Sequence, residues 1–203
     1  IYGQSEGSGP TTFNCPDSTK LGSTGPAYPD TEVKLAKDGE ILLKGRNVFK
    51  GYYKDKDATD ECLIDGWLYS GDLGKFDEDG YLYITGRKKE IIVTSGGKNI
   101  APAGIEEQLK SIPIVSQAVI IGDQRNYVTA LITLDAGYLL REKLGVDITG
   151  IPPTELIAEF ENHNRSYSEF CSDAEVIQEV QNGVDDVNKL FARVENVRKF
   201  TVL

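Results

Sequence analysis

The sequence has 203 residues, with 22 Lys and Arg against 32 Asp and Glu for a formal net charge of −10, and 39% of it is hydrophobic. That balance belongs to a soluble globular chain of one or two domains and excludes disordered and collagen-like sequences. The acidic excess argues against a sequence-independent nucleic-acid binder, which needs a basic face to release counterions from phosphate.

Residues 1 to 26 read as loop, broken by Gly3, Gly7, Gly9, Pro10, Pro16, Gly22, Gly25 and Pro26. A hairpin follows: Val33 and Leu35 alternate, Asp38-Gly39 turns the chain, and Ile41 to Leu43 return. Asp55 to Glu61 reads as one or two helical turns. Trp67 to Phe76 and Tyr81 to Thr85 flank Asp77-Glu78-Asp79-Gly80 as a second hairpin. Together these strands predict a small distorted barrel or sheet with Trp67, Tyr69, Tyr81 and Tyr83 in its core.

Composition changes at Arg87-Lys88-Lys89-Glu90, which places a domain junction after residue 86. Ile91 to Thr94 and Asn99 to Ile100 form a further hairpin. Pro102 opens a helix whose stripe is Ile105, Leu109 and Ile112, with Glu106 and Glu107 in its first turn. Val115 to Ile121 and Val128 to Leu134 are strands, and Asp135 caps a helix that Gly145 ends. From Pro153 the pattern is helical, with Leu156, Phe160, His163 and Tyr167 on one stripe. A longer run places Val176, Val180, Val184, Val187, Phe191 and Val194 on one face, interrupted at Asn182-Gly183, and Phe200 to Leu203 begins a strand. The fold class is α+β.

Several features bound the function. No apolar run approaches the about 18 to 20 residues that span a bilayer, and no signal series opens the chain, so it reads as cytoplasmic. Cys15, Cys62 and Cys171 are odd in number and lack CxxC spacing, which predicts buried structural thiols rather than disulfides or zinc. His163 stands alone, and no nucleophilic triad can be assembled from it. Met is absent even at position 1 and Ile1 opens in mid-motif, so the sequence reads as a fragment.

Four clusters carry chemistry. In Tyr2-Gly3-Gln4-Ser5-Glu6-Gly7 an aromatic face suits a base, and a carboxylate beside a hydroxyl suits Mg²⁺ with its phosphates; an ordinary glycine loop has the same composition. In Gly66-Trp67-Leu68-Tyr69-Ser70-Gly71-Asp72-Leu73, Asp72 can accept both hydroxyls of a ribose or merely cap a turn. In Thr85-Gly86-Arg87-Lys88-Lys89-Glu90 the cations can meet ribose or phosphate oxygens, although most charge runs are solvated surface. Gly96-Gly97, within Thr94 to Pro102, permits a tight turn and close approach of a ligand, which a hairpin tip also needs.

The stretches YGQSEG, GEILLKGRNVFKGYY and DGWLYSGDLGKFDEDGYLYITGRKKEIIVTSGGKNIAPAGIEE, in this order from residue 1 to about 135, resemble the second half of the adenylate-forming (AMP-binding) superfamily. That superfamily comprises acyl-CoA synthetases, luciferases and peptide-synthetase adenylation domains. The wording TSGGKNIAPAGIE is most similar to bacterial long-chain fatty-acid CoA ligases. The resemblance implies that residues 1–86 are the C-terminal part of the large AMP-binding domain and residues 87–203 a mobile lid, truncated before its end.

It further implies a ligase acting on a fatty acid, ATP and coenzyme A with Mg²⁺, through acyl-AMP. Tyr2 would stack on adenine, Ser5 contact phosphate, Glu6 hold Mg²⁺, Asp72 take the ribose hydroxyls, and Arg87 support them. Lys89 matches the family's hinge, and Gly96-Gly97 would approach the pantetheine arm. The family's Ser/Thr/Gly-rich phosphate loop and its C-terminal catalytic lysine have no match here, so this polypeptide alone is expected to be inactive and to contain no catalytic residue. Two rival readings stand: a non-catalytic nucleotide- or CoA-binding module, and an adenylating enzyme for an aryl or amino acid. Oligomeric state and peripheral membrane contact are not legible.

Overall fold

A computed structural model describes residues 1–203, which form two compact units, Ile1–Glu90 and Ile91–Leu203. The break follows Glu90 rather than residue 86, because the last strand of the first unit runs on to Arg87 and Lys88 is ion-paired within that unit.

The first unit opens with β1 (Tyr2–Gln4) and β2 (Gly9–Thr12), antiparallel around a 3₁₀ turn at Ser5–Gly7. The predicted loop is therefore a hairpin at its start. Glycine makes it feasible: a Cβ on Gly3 would lie 2.2 Å from the Gly9 carbonyl oxygen. β3 (Thr31–Leu35) and β4 (Glu40–Gly45) form the expected hairpin, and α1 (Lys56–Cys62) starts where the Asp55 carboxylate accepts the Ala58 N–H. β5 (Leu63–Ile64), β6 (Trp67–Phe76) and β7 (Leu82–Arg87) complete a five-stranded antiparallel sheet in which β4, β5 and β7 all pair with β6. Register shifts at Glu40/Leu42 and Leu73/Gly74 are the local irregularities that curl such a sheet toward a half-barrel.

Its core is Ile41, Leu43, Leu68 and Leu82. The alternating aromatics are not part of it. Trp67, Tyr69, Tyr81 and Tyr83 are half-buried, and Trp67 lies under two cations, Lys34 at 3.7 Å and Lys44 at 5.4 Å from the ring centre. Period-two alternation marks two faces, and here the branched aliphatics take the inner one.

The second unit begins with the short hairpin of β8 (Ile92–Val93) and β9 (Asn99–Ile100), then α2 (Pro102–Lys110) with Pro102 in its first turn. Glu106 and Glu107 lie beyond that first turn, and Glu106 accepts the Ile120 N–H at 2.8 Å. β10 (Val115–Ile121) pairs antiparallel with β11 (Val128–Leu134). Asp135 caps α3 (Ala136–Tyr138), which passes directly into a π-helical turn at Leu139–Lys143. α4 (Leu156–Asn162) and α5 (Tyr167–Phe170) are separate helices, so the predicted stripe through His163 is broken: Asn164 adopts φ +52° and Ser166 starts a new capping box.

α6 (Ala174–Asn188) runs unbroken through Asn182-Gly183 and ends before Phe191 and Val194. Gly183 serves packing: a Cβ there would sit 2.7 Å from Ile112. β12 (Val197–Val202) joins β11 in parallel and starts earlier than expected. Helices and sheet enclose one large apolar core centred on Ile105, Leu109, Ile132, Leu139, Phe160 and Val180. All three cysteines are free and half-buried rather than buried; burial raises the Cys62 and Cys171 thiols, which keeps them protonated and weakly nucleophilic. No helix is long and apolar enough to cross a membrane.

Candidate functional site

Three of the chemistry-bearing residues of the first unit, Tyr2, Asp72 and Arg87, meet at the middle of β6. Gly71 turns the backbone with φ +75°, the left-handed region open to glycine, and places Asp72 directly opposite Arg87 on β7. Arg87 donates through Nε to Asp72 Oδ1 at 3.1 Å. From the other end of the unit, Tyr2 donates its hydroxyl to Asp72 Oδ2 at 2.8 Å. Asp72 is only 7% exposed, so this is a carboxylate held by two donors rather than a solvated turn residue. Its own N–H is taken by the Ser70 hydroxyl at 3.0 Å. Burial raises the Tyr2 phenol well above its ordinary value, so it stays a donor at any physiological pH.

Behind this cluster sits a residue that sequence reasoning missed. Glu40 is 4% exposed; its Oε1 accepts the Gly71 N–H at 3.0 Å and its Oε2 accepts the Lys88 ammonium at 2.7 Å. Lys88 also reaches Asp38 at 2.7 Å. These two carboxylates raise the Lys88 ammonium, and Lys88 in turn holds the Asp38 carboxyl below its usual range. Glu40 thus ties the residue before Asp72 to the residue after Arg87. A carboxylate opening the apolar run Ile41-Leu42-Leu43 was the available signal, since an acid on a buried strand needs partners.

Ser5 and Glu6 occupy the 3₁₀ turn that follows Tyr2. The Glu6 carbonyl accepts the Phe49 N–H at 2.7 Å, and Glu6 Oε1 accepts the Tyr52 hydroxyl at 2.6 Å. That bond to Glu6 is the main reason the Tyr52 phenol is pushed up to about 12. No protein donor reaches Glu6 Oε2, and no group of three or more His, Cys, Asp or Glu side chains gathers anywhere in the chain. A dedicated all-protein metal cage is therefore absent, but one open carboxylate oxygen is the donor set that a largely hydrated, phosphate-bound Mg²⁺ requires. The residues fit that ion, with Glu6 as the side chain that would hold it.

Lys89 lies exposed in a 3₁₀ turn at Lys88–Glu90 and makes no ion pair, unlike its neighbour Lys88. Gly96 and Gly97 belong to the second unit, at the tip between β8 and β9. There Gly97 has φ +71° and donates its N–H to the Thr94 carbonyl at 2.8 Å, and a Cβ on Gly97 would meet open space. His163 pairs with Glu159 at 3.4 Å on the rim of α4 and touches none of these groups.

The family defined as AMP-binding enzyme C-terminal domain matches residues 89–144. The long-chain-fatty-acid–CoA ligase FadD15 of Mycobacterium bovis is 40% identical over 202 residues, covering 100% of this chain and 32% of that protein. The chain belongs to the adenylate-forming (AMP-binding) superfamily. Another member, the long-chain-fatty-acid–CoA ligase ACSBG2 of Xenopus laevis, is 38% identical over 220 residues, covering 100% of this chain and 29% of that protein. The chain thus spans about a third of the length of the curated superfamily members it matches.

Among solved structures, the o-succinylbenzoate coenzyme A synthetase MenE of Bacillus subtilis, in complex with ATP and magnesium, superposes with a TM-score of 0.68 at 28% identity over 100% of this chain and 37% of its own. The anthranilate CoA ligase AuaEII, with anthranoyl-AMP, shares the fold at a TM-score of 0.70 and 20% identity over 99% of this chain and 35% of its own. The adenylate-forming, acyl-CoA-synthetase-like α+β fold is common to them and to this chain.

Proposed function

We propose that the protein carrying this chain is an ATP-dependent ligase that converts a long-chain fatty acid to acyl-AMP and then to acyl-CoA. The observation that carries the proposal is the buried Asp72 carboxylate held by Tyr2 and Arg87, in a chain 40% identical to a long-chain-fatty-acid–CoA ligase. Ionised carboxylate oxygens have about four lone-pair sites in total. With one donor on each oxygen, Asp72 keeps acceptor capacity for the two hydroxyls of a ribose.

In the first step the fatty carboxylate attacks the α-phosphorus of ATP and pyrophosphate leaves. In the second the thiol of coenzyme A attacks the acyl carbon and AMP leaves. A poor leaving group is thereby replaced by a good one, and one difficult step becomes two easier ones. In this reading Tyr2 flanks the adenine, Asp72 and Arg87 fix the ribose, Ser5 contacts phosphate, and Glu6 holds Mg²⁺, which when bound neutralises phosphate charge.

Residues 1–90 are read as the end of the large domain and residues 91–203 as a lid. Lys89 is the hinge between the half-reactions and Gly96-Gly97 the approach for the pantetheine arm; an unpaired, exposed residue is free to absorb a change in backbone dihedrals. The phosphate loop and terminal lysine of the superfamily have no counterpart among these residues, so the 203-residue polypeptide by itself is expected to lack adenylating activity.

Thioester formation by the full-length protein, measured with acids from acetate to palmitate, tests the substrate class. Preference for the long-chain acids is expected. Preference for aryl or amino acids, or no ATP-dependent product with any acid, overturns the reading.

A further inference from the structure

The segment Lys50 to Cys62 does more than connect β4 to β5. Its aromatic Tyr52 reaches back 46 positions to donate its hydroxyl to Glu6 Oε1 at 2.6 Å. Neighbouring contacts fix the backbone and the ring that carry that hydroxyl. The Tyr52 N–H is taken by Thr59 Oγ1 at 2.9 Å, and Thr59 Oγ1 itself donates to the Asp55 carbonyl at 2.7 Å. Gly51 has φ +139° and lies so close to Thr59 that a Cβ would fall 2.6 Å from its methyl group. The Tyr52 ring meets Phe49 edge-on with centres 4.9 Å apart, and the Phe49 N–H binds the Glu6 carbonyl at 2.7 Å. Glu6 is therefore fixed at its backbone by Phe49 and at one carboxylate oxygen by Tyr52, which leaves the second oxygen free of any protein donor.

We infer that Tyr52 is a positioning residue for the metal-binding carboxylate: it fixes the Glu6 side chain so that Oε2 faces the magnesium–nucleotide. This rests on the reading of Glu6 as the Mg²⁺ ligand. A carboxylate on a surface turn samples several rotamers, and a partner on its other oxygen removes that freedom before the ion arrives. Sequence gave no sign of the pairing, because Tyr52 belongs to an aromatic pair in a polar stretch far from the Glu6 turn.

The test uses the full-length protein and Tyr52→Phe, which keeps the ring packing on Phe49 and removes only the hydroxyl. Binding of Mn²⁺, as a paramagnetic stand-in for Mg²⁺, is followed by water-proton relaxation in the presence of a non-hydrolysable ATP analogue. AMP affinity is measured separately without metal. The expected result is that Tyr52→Phe weakens Mn²⁺ binding about 10-fold, as loss of an outer-layer partner of a metal ligand does, while AMP affinity stays at the wild-type value.

Unchanged Mn²⁺ binding overturns the inference, and so does an equal loss of Mn²⁺ and AMP, which would mark Tyr52 as a general structural residue. If Glu6→Ala leaves wild-type Mn²⁺ binding intact, Glu6 is not the ligand. In that case the underlying reading fails, and the inference with it.

Discussion

The two units are stabilised by different means. The second gathers twenty-one buried residues, all of them aliphatic or aromatic, into one core. The first has four fully buried aliphatics in its core and relies on polar ties between distant segments: Tyr2 to Asp72, Glu6 to Tyr52, Lys20 to Asp77 and Asp79, and Lys88 to Asp38 and Glu40. Apolar packing is tolerant of direction and sets stability; hydrogen bonds are directional and set geometry. The contrast teaches that the candidate nucleotide site lies where orientation is determined by polar partners, whereas the hairpin that carries Gly96 and Gly97 is anchored by apolar packing of Ile92 and Ile100 in the second unit's core.

Phe160→Ala should expose this contrast most strongly. Phe160 is 1% exposed and packs edge-on against Tyr167 and Phe170, with ring centres 6.0 and 5.7 Å away. Its truncation should cost about 3–5 kcal/mol, read as a lowered urea midpoint, with little change in AMP affinity of the molecules that remain folded. A fall in AMP affinity as large as the fall in stability would break the division of roles.

Glu40→Ala is the converse variant. It should lower the urea midpoint less than Phe160→Ala does, because Lys88 keeps Asp38 as a partner, yet weaken AMP binding about 10-fold, the equivalent of losing one to two hydrogen bonds that position Asp72 and Arg87. A large loss of stability with unchanged AMP affinity would make Glu40 a structural residue alone.

The smallest effect sharpens the comparison at a helix end. Asp173 caps α6 by accepting the Val176 and Glu175 N–H groups, and those bonds hold its carboxyl below the usual range. A depressed folded value means that this contribution is complete above the unfolded carboxyl value of about 4 and is lost as pH falls through the folded one. Asp173→Asn keeps a neutral cap, so the difference in stability between wild type and variant should shrink as the pH drops below about 4. A difference that is the same at pH 7 and pH 3 would contradict the assignment.

Local signals made most elements legible. Asp38-Gly39 and the Asp77–Gly80 turn marked the hairpins, Pro102 the start of α2, and alternation the strands β10 and β11, because each feature acts through neighbouring residues. Tyr2, Asp72 and Arg87 were singled out by residue type and neighbouring glycine, and the structure brings these three together. What stayed hidden depends on partners far along the chain. Gly183 resembles a helix break until Ile112 is seen against it, and Trp67 resembles a core residue until Lys34 and Lys44 are seen over its ring. Glu40 and Tyr52 are ordinary strand-start and loop residues until Gly71, Lys88 and Glu6 arrive from elsewhere.

The central claim is that Asp72, gripped by Tyr2 and Arg87, is where a nucleoside is bound. Calorimetric titration of AMP into the full-length protein and into Asp72→Ala tests it directly. The account predicts that AMP affinity drops at least about 10-fold, since a charged acceptor of two hydroxyls is worth roughly 1.5–3 kcal/mol per bond; equal affinity of the two proteins would contradict it.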